Sequence, residues 1–427
     1  MKERRDDPRA CARHGPARMS DLVPGHAPVL LVMGLVALVA VPLRALFQRL
    51  GLPPMIGFIA LGVALSLAGS AWGVLDAELA RSIRFLAEIG IVVLLFRIGL
   101  ESNLDALLGQ LGRAALIWLP NMGLAALAAF LLVWFWPGLG LLPALYAAVA
   151  ASATSIGVSI AVWDDAGALD SPSGALLLDV AELDDISAVV LLGVLFAVAP
   201  LLGQAGNGDL FMRALAAGGW QLLLLMVFCA ACYLFSRWLE KPVSDAFARL
   251  SPGLGPIVFA AGAVFVIAGC AGFLGFSVAI GALFAGLAFS RDPAEHSIDD
   301  AFAVLLALFG PFFFVAIGLS VDAGLLGGAL GLAAALSAAA VLGKLAGAGL
   351  PAAWLLDRRE GWLIGASMVP RAEIFLLVML HGLTLGPFAV PQTLYNAAVL
   401  TSLATCLLGP LIVERALRRR GNARSAR

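Results

Sequence analysis

The chain has 427 residues, 61% of them hydrophobic and only 13% charged, with a mean hydropathy of +0.98. Soluble domains carry about a quarter charged residues, so the composition excludes a water-soluble fold and indicates a polytopic membrane protein. A net charge of −1 also speaks against a nucleic-acid partner, which would call for a basic surface.

Residues 1–26 are polar and mixed in charge, and read as a disordered N-terminal tail. They lack the short apolar core and small-residue cleavage site of a signal peptide, and Met19 is an alternative start. Beyond them, hydropathy broken by Gly, Pro and charge clusters predicts about thirteen spans. Their limits are 27–47, 53–70, 86–101, 113–135, 139–163, 174–199, 213–236, 254–270, 273–291, 301–321, 326–356, 361–382 and 391–414. The spans are expected to be helices, because hydrocarbon offers unpaired backbone groups no partner and no alternating barrel pattern is present.

Basic residues in short loops set the orientation. The tail 415–427 is strongly basic and is expected in the cytoplasm. The loops on that side then carry Arg44, Arg49, Arg113, Arg237, Lys241, Arg249, Arg291, Arg358 and Arg359, against Arg81, Arg84 and Arg213 opposite. The N-terminus is therefore expected outside, with residues 1–18 and their six Lys/Arg as the one violation. Six spans, one span and six spans suggest two inverted repeats, 27–199 and 251–414, joined by a linker helix within 200–250, as in many secondary transporters. The five cysteines show neither metal-ligand spacing nor a disulfide framework. The CxxC of Cys229 and Cys232 reads as a packing pair within a span.

The segment LLLDVAELDDISAVVLLGVL (176–195) places Asp184 and Asp185 midway along the sixth span. A carboxylate there costs several kcal/mol unless it is paired, protonated or facing a watery cavity. Two adjacent acids therefore indicate a cation or proton site, the alternative being a buried structural pair. Asp179 and Glu182 precede them on the same helix. They read either as an acidic funnel attracting cations from the cytoplasm or as an interfacial helix start favoured by the dipole.

In each repeat the penultimate span looks broken. ASATSIGVSIAVWDD contains Thr154 and Ser155, and SMVPRAEI contains Pro370, Arg371 and Glu373. Unwound helices near the midplane expose carbonyls and dipole ends that can coordinate a cation. A proline kink alone is common in membrane helices; Arg371 and Glu373 following at once favour the broken-helix reading. Lys344 lies deep in a small-residue span, where an unpaired ammonium would be expelled or neutralised. Its natural partner is Asp184 or Asp185, and because adjacent helical residues point about 100° apart only one is placed to meet it well. Arg97 reads as a snorkelling side chain near a span end. Residues Arg291, Asp292, Glu295, Asp299 and Asp300 read as a solvated loop, and His381 as a lone histidine near the outer end of its span.

Taken in order, LPPMIGFIALGVAL, EIGIVVLLFRIGLE, SATSIGVSIAV, LLLDVAELDDISAVVLL, GFSVAIGALFAGLAFS, LFGPFFFVAIGLSVD, VLGKLAG and SMVPRAEI resemble the monovalent cation:proton antiporters, in their thirteen-helix, paired-aspartate branch. The resemblance covers about residues 28–414. It implies an all-α membrane fold with crossed broken helices, a core domain moving against a dimerisation domain, and a homodimer in the inner (plasma) membrane among its lipids. It implies exchange of Na⁺, K⁺ or Li⁺ for H⁺ without a cofactor. Carried over by motif, Asp185 is the ion-binding acid, Asp184 its partner in the ion site, Lys344 the charge-compensating lysine, and Thr154 and Ser155, at the helix crossing, are further ion-binding residues. Pro370, Arg371 and Glu373 support the site. The chain departs from the family at Gly57-Phe58, where Gly-Glu is usual, and at Pro370-Arg371-Ala372-Glu373, where Pro-Arg-Gly-Glu is usual. It is expected to be without the nucleotide-binding domain of the glutathione-gated potassium efflux systems.

The acid pair plus lysine resembles the electrogenic subgroup. The expected activity is secondary active antiport, of Na⁺ first and K⁺ as the alternative, and not an enzymatic reaction. An intramembrane aspartyl protease would need acids on two different helices, one of them in a Tyr-Asp setting, whereas here the two acids are adjacent on one helix and no Tyr-Asp occurs. A cation channel would differ by lacking stoichiometric counterflow.

Overall fold

The computed structural model describes residues 27–72, 77–102, 104–169, 171–202, 210–290 and 295–425. The tail 1–26, with Met19, and Arg291 and Asp292 lie outside them. Among the described residues every regular element is helical, and each of the thirteen apolar segments carries helix. The elements are α1 (Ala27–Arg49), α2 (Pro54–Trp72), α3 (Ala77–Glu101), α4 (Leu104–Trp134), α5 (Leu141–Ser152), α6 (Gly157–Asp165), α7 (Pro172–Leu202), α8 (Leu210–Leu234) and α9 (Lys241–Leu250). There follow α10 (Gly255–Phe273), α11 (Val278–Phe289), α12 (Glu295–Leu319), α13 (Leu326–Lys344), α14 (Leu350–Leu355), α15 (Arg358–Ser367), α16 (Glu373–Leu385) and α17 (Gln392–Ser425). Among the described residues, eight helical stretches are long and apolar enough to cross a membrane.

The helices pack in two groups. One joins α2, α3, α10, α11 and α12, with α1 against α2 and α12. The other joins α4, α5, α6, α7, α13, α15, α16 and α17, and α8 rests on α7 and α11. In the first group, glycines bring backbones into contact. A Cβ on Gly62 would lie 2.2 Å from the Val315 carbonyl, and one on Gly318 2.1 Å from that of Ile59. Only hydrogen fits there, so α2 and α12 lock at the short range that membrane helices use in place of a hydrophobic drive.

Two expectations fail in this group. Residues 295–300 form the first turns of α12 instead of a loop, and Arg97 does not simply snorkel. Its Nε and Nη2 donate to both carboxylate oxygens of Asp299, at 2.7 and 2.9 Å, and Nη2 also reaches Glu101 at 3.2 Å. The bidentate guanidinium partner of Asp299 ties α12 to α3. The hydropathy dip that reads as a loop is this charged helix start.

The second group contains both broken spans. The fifth segment splits at 153–156, where Ala153 is extended (φ −65°, ψ 152°), into α5 and α6. The twelfth splits at 368–372 into α15 and α16. Pro370 explains that break, since it has no N–H and biases the preceding residue away from helix. The breaks touch, with the Ser155 amide donating to the Pro370 carbonyl at 3.0 Å. The eleventh segment is interrupted too, by a wide π-helical turn at Leu345–Gly349 immediately after Lys344.

Candidate functional site

Breaking two helices beside each other leaves backbone groups without intrahelical partners, and polar side chains, Lys344 and Arg371 among them, take them up. Lys344 Nζ donates to the Ser152 carbonyl, 2.9 Å away at the end of α5. Ser159 Oγ donates to the Ser367 carbonyl at the end of α15, 2.7 Å away. Arg371 Nη1 donates to the carbonyls of Met368 and Pro370, both at 3.2 Å. The Arg371 carbonyl accepts from Ser402 Oγ at 2.6 Å. Cations thus meet the carbonyl ends of the half-helices, where the dipole favours them.

Asp184 is the centre of the constellation. It and Lys344 are both fully buried, and Nζ lies 2.6 Å from Oδ2. The same oxygen accepts from Thr154 Oγ1 at 2.5 Å and from Asn121 Nδ2 at 2.9 Å. Three donors therefore converge on Oδ2, while Oδ1 has no hydrogen-bond partner. Of the two acids it is Asp184 that meets Lys344. Asp185, one helical step on, is half-buried and makes no hydrogen bond or ion pair among the described residues.

Ser155 turns to the other broken helix and donates from Oγ to Glu373 Oε2 at 2.5 Å. Glu373 opens α16, where an acid suits the dipole. Arg371 is fully buried, with Nη1 also 3.4 Å from Thr154 Oγ1 and with Nε and Nη2 unpartnered. Trp118 Nε1 donates to Ser187 Oγ at 3.0 Å, joining α4 to the acid helix one turn beyond the pair.

A cavity of about 710 Å³ separates the two helix groups and reaches Glu373. Arg44, Gln48, Met55 and Phe58 line it on one side, and Gly157, Val162, Asp165 and Glu373 on the other. A neighbouring cavity of about 750 Å³ shares Gly51, Leu52, Pro53, Val162, Asp165 and Pro410 with it. The acids lining these openings are Asp165, Glu373 and Glu414, not Asp179 and Glu182. Asp179 is buried, with Oδ2 unpartnered, so the sequence expectation of a funnel formed by Asp179 and Glu182 does not describe these cavities. Phe58 stacks on Phe314 with 6.5 Å between centroids.

His381 is not isolated. Its ring stacks on Phe196 and its Nδ1 lies 3.2 Å from the Tyr146 hydroxyl, so α16, α7 and α5 meet there.

The profile of the transmembrane sodium/hydrogen exchangers matches residues 34–419. The chain belongs to the sodium/hydrogen exchanger family. It is thus a multi-pass membrane transport protein and not an enzyme. It is 26% identical over 379 residues to a Na⁺/H⁺ antiporter of Enterococcus hirae, covering 86% of this chain and 92% of that one. It is 28% identical to the Na⁺/H⁺-K⁺ antiporter GerN of Bacillus cereus, covering 86% and 90%. To the K⁺/H⁺ antiporter subunit KhtU of Bacillus subtilis it is 28% identical, covering 84% and 86%. The fold matches the sodium proton antiporter MjNhaP1 of Methanocaldococcus jannaschii with a TM-score of 0.68, at 15% identity over 91% of this chain and 97% of that one. In this exchanger the residue that sequence reading missed is Asn121. Its one signal was Pro120 beside a polar residue inside an otherwise apolar span.

Proposed function

We propose that this exchanger is a secondary active antiporter that moves one monovalent cation, Na⁺ first, against protons by alternating access. The observation that carries the reading is the division of labour between two adjacent acids. Asp184 is neutralised by Lys344 at 2.6 Å, whereas Asp185 beside it is half-buried and unpaired. A lone carboxylate at that depth is stable only when a proton or a cation neutralises it. The two compete for one group, and their mutual exclusion couples the fluxes.

In this reading Thr154, the Ser152 carbonyl and Asp184 Oδ1 supply neutral and anionic oxygen near Asp185, the kind of ligand a hard monovalent cation takes in exchange for water. Ser155, Glu373, Arg371 and Pro370 hold the crossing in shape. In this reading the cavity bounded by Arg44, Asp165 and Glu373 is the cytoplasmic approach, and the distribution of basic residues supports an N-terminus outside and a basic C-terminal end inside, in the plasma membrane. The functional arrangement is thirteen crossings in two inverted repeats, 27–199 and 251–414, joined through 200–250, and the partner is a second copy of this chain.

Exchange is electrogenic if Lys344 releases a proton when the cation displaces it from Asp184, and we assign this mode to the protein. The test is cation-induced dequenching of a pH-sensitive dye in proteoliposomes with Na⁺, Li⁺ and K⁺ compared. Dequenching with at least one of the three is expected, strongest with Na⁺. Cation flux without proton counterflow would replace the antiporter by a channel.

A further inference from the structure

Asn121 lies on α4, outside the paired-acid helix and both broken helices, yet it is fully buried and donates to Asp184 Oδ2 at 2.9 Å. Its own Oδ1 has no hydrogen-bond partner. An amide placed at that depth with half its capacity unused costs free energy that an apolar residue of the same size would not. The site is also tightly built around it. A Cβ on Gly347 would lie 2.7 Å from the Asn121 Cα and 2.6 Å from the Pro120 carbonyl, and one on Gly343 2.8 Å from the Ala125 Cα. Those glycines flank Lys344, so α4 and the lysine-bearing turn meet backbone to backbone and hold amide and ammonium on the same carboxylate oxygen.

We propose that Asn121 is a positioning residue for cation exchange, keeping the Asp184 carboxylate oriented when Lys344 lets go of it. With Lys344 in place, Oδ2 accepts three hydrogen bonds. When a cation draws Asp184 away from the ammonium, Asn121 and Thr154 still hold Oδ2. The carboxylate then neither swings nor stands unpaired, and Oδ1 keeps facing outward from the three donors. Asn121 does this from α4, which packs against α5, α7 and the lysine-bearing turn together. The proposal rests on the antiport reading above.

The test uses the full-length protein in proteoliposomes at one fixed pH, with the Na⁺ concentration giving half-maximal dequenching as the readout. Asn121→Leu keeps the number and branching of side-chain atoms but removes the donor, and Asn121→Ala removes both shape and donor. Loss of a hydrogen bond to a charged group is expected to raise half-saturating Na⁺ about tenfold in both variants, with a smaller change in maximal rate. A packing role predicts the opposite pattern, with Leu restoring what Ala loses and only the melting temperature moving. Half-saturation within about twofold of wild type in Asn121→Leu, or in Asn121→Ala should the Leu variant not fold, would overturn the proposal. Asp185→Asn is measured alongside; exchange surviving there would defeat the antiport reading itself, independently of Asn121.

Discussion

Removing the charge of Lys344 should destabilise the protein by about 3 kcal/mol, because it strands Asp184 in the core. Both groups are fully buried and 2.6 Å apart. At an effective dielectric near 20 the gross attraction at that separation is about 6 kcal/mol. Desolvation offsets much of it in the intact pair, yet removing one partner typically costs about 3–5 kcal/mol because the other charge remains. Asn121 and Thr154 still donate to Asp184, which puts the expectation at the lower end of that range. Lys344→Met keeps most of the volume, so the loss reports charge and not a cavity. Thermal unfolding in detergent, followed by the surviving monodisperse fraction, gives the ranking of variants. Adding Asp184→Asn to Lys344→Met should recover a large part of the loss, since no buried charge then remains unpaired. A single variant as stable as wild type, or a double variant no better than the sum of the singles, would show that the pair does not carry this energy.

Three further outcomes follow from the same geometry. Proton and cation competing for one carboxylate means that half-saturating Na⁺ should rise as pH falls, by up to about tenfold per pH unit for one competing proton, and a pH-independent value would contradict competition. Gly347→Val would force a side chain into the backbone of Pro120 and Asn121 and should cost about 1–3 kcal/mol, read as lowered thermal stability beside an unaffected Gly327→Ala control, which meets open space. Transport under a potassium–valinomycin clamp should respond to imposed potential, and rates indifferent to voltage would leave Lys344 a static partner that carries no proton.

The site was legible where burial forces a decision. An ammonium at Lys344 and carboxylates at Asp184 and Asp185 have no cheap existence in hydrocarbon, so pattern alone demanded that they be used together. The two breaks were legible because Pro370 and the run Ser152, Thr154, Ser155 interrupt apolar sequence. Choosing Asp184 over Asp185 needed helix rotation, which the break at 153–156 sets through Thr154. Asn121 stayed hidden because a single amide after a proline has many uses, and its role depends on α4 approaching Gly343 and Gly347, 222 and 226 residues later. Arg97 was misread for the opposite reason. Hydropathy treats charge as solvation, and it cannot see that Asp299 waits on the neighbouring helix. The wide turn at Leu345–Gly349 leaves no periodic trace in a run of Gly, Ala and Leu.

The most direct measurement is exchange by Asp185→Asn in proteoliposomes, with sodium-driven proton movement recorded across a range of pH. The substitution keeps shape and burial while removing the only titratable charge at that position. The protein should remain folded and monodisperse, bind no transported cation, and show no sodium-dependent dequenching at any pH. Exchange at the wild-type rate would contradict the account, because the coupling would then lie elsewhere than in the unpaired acid beside Asp184.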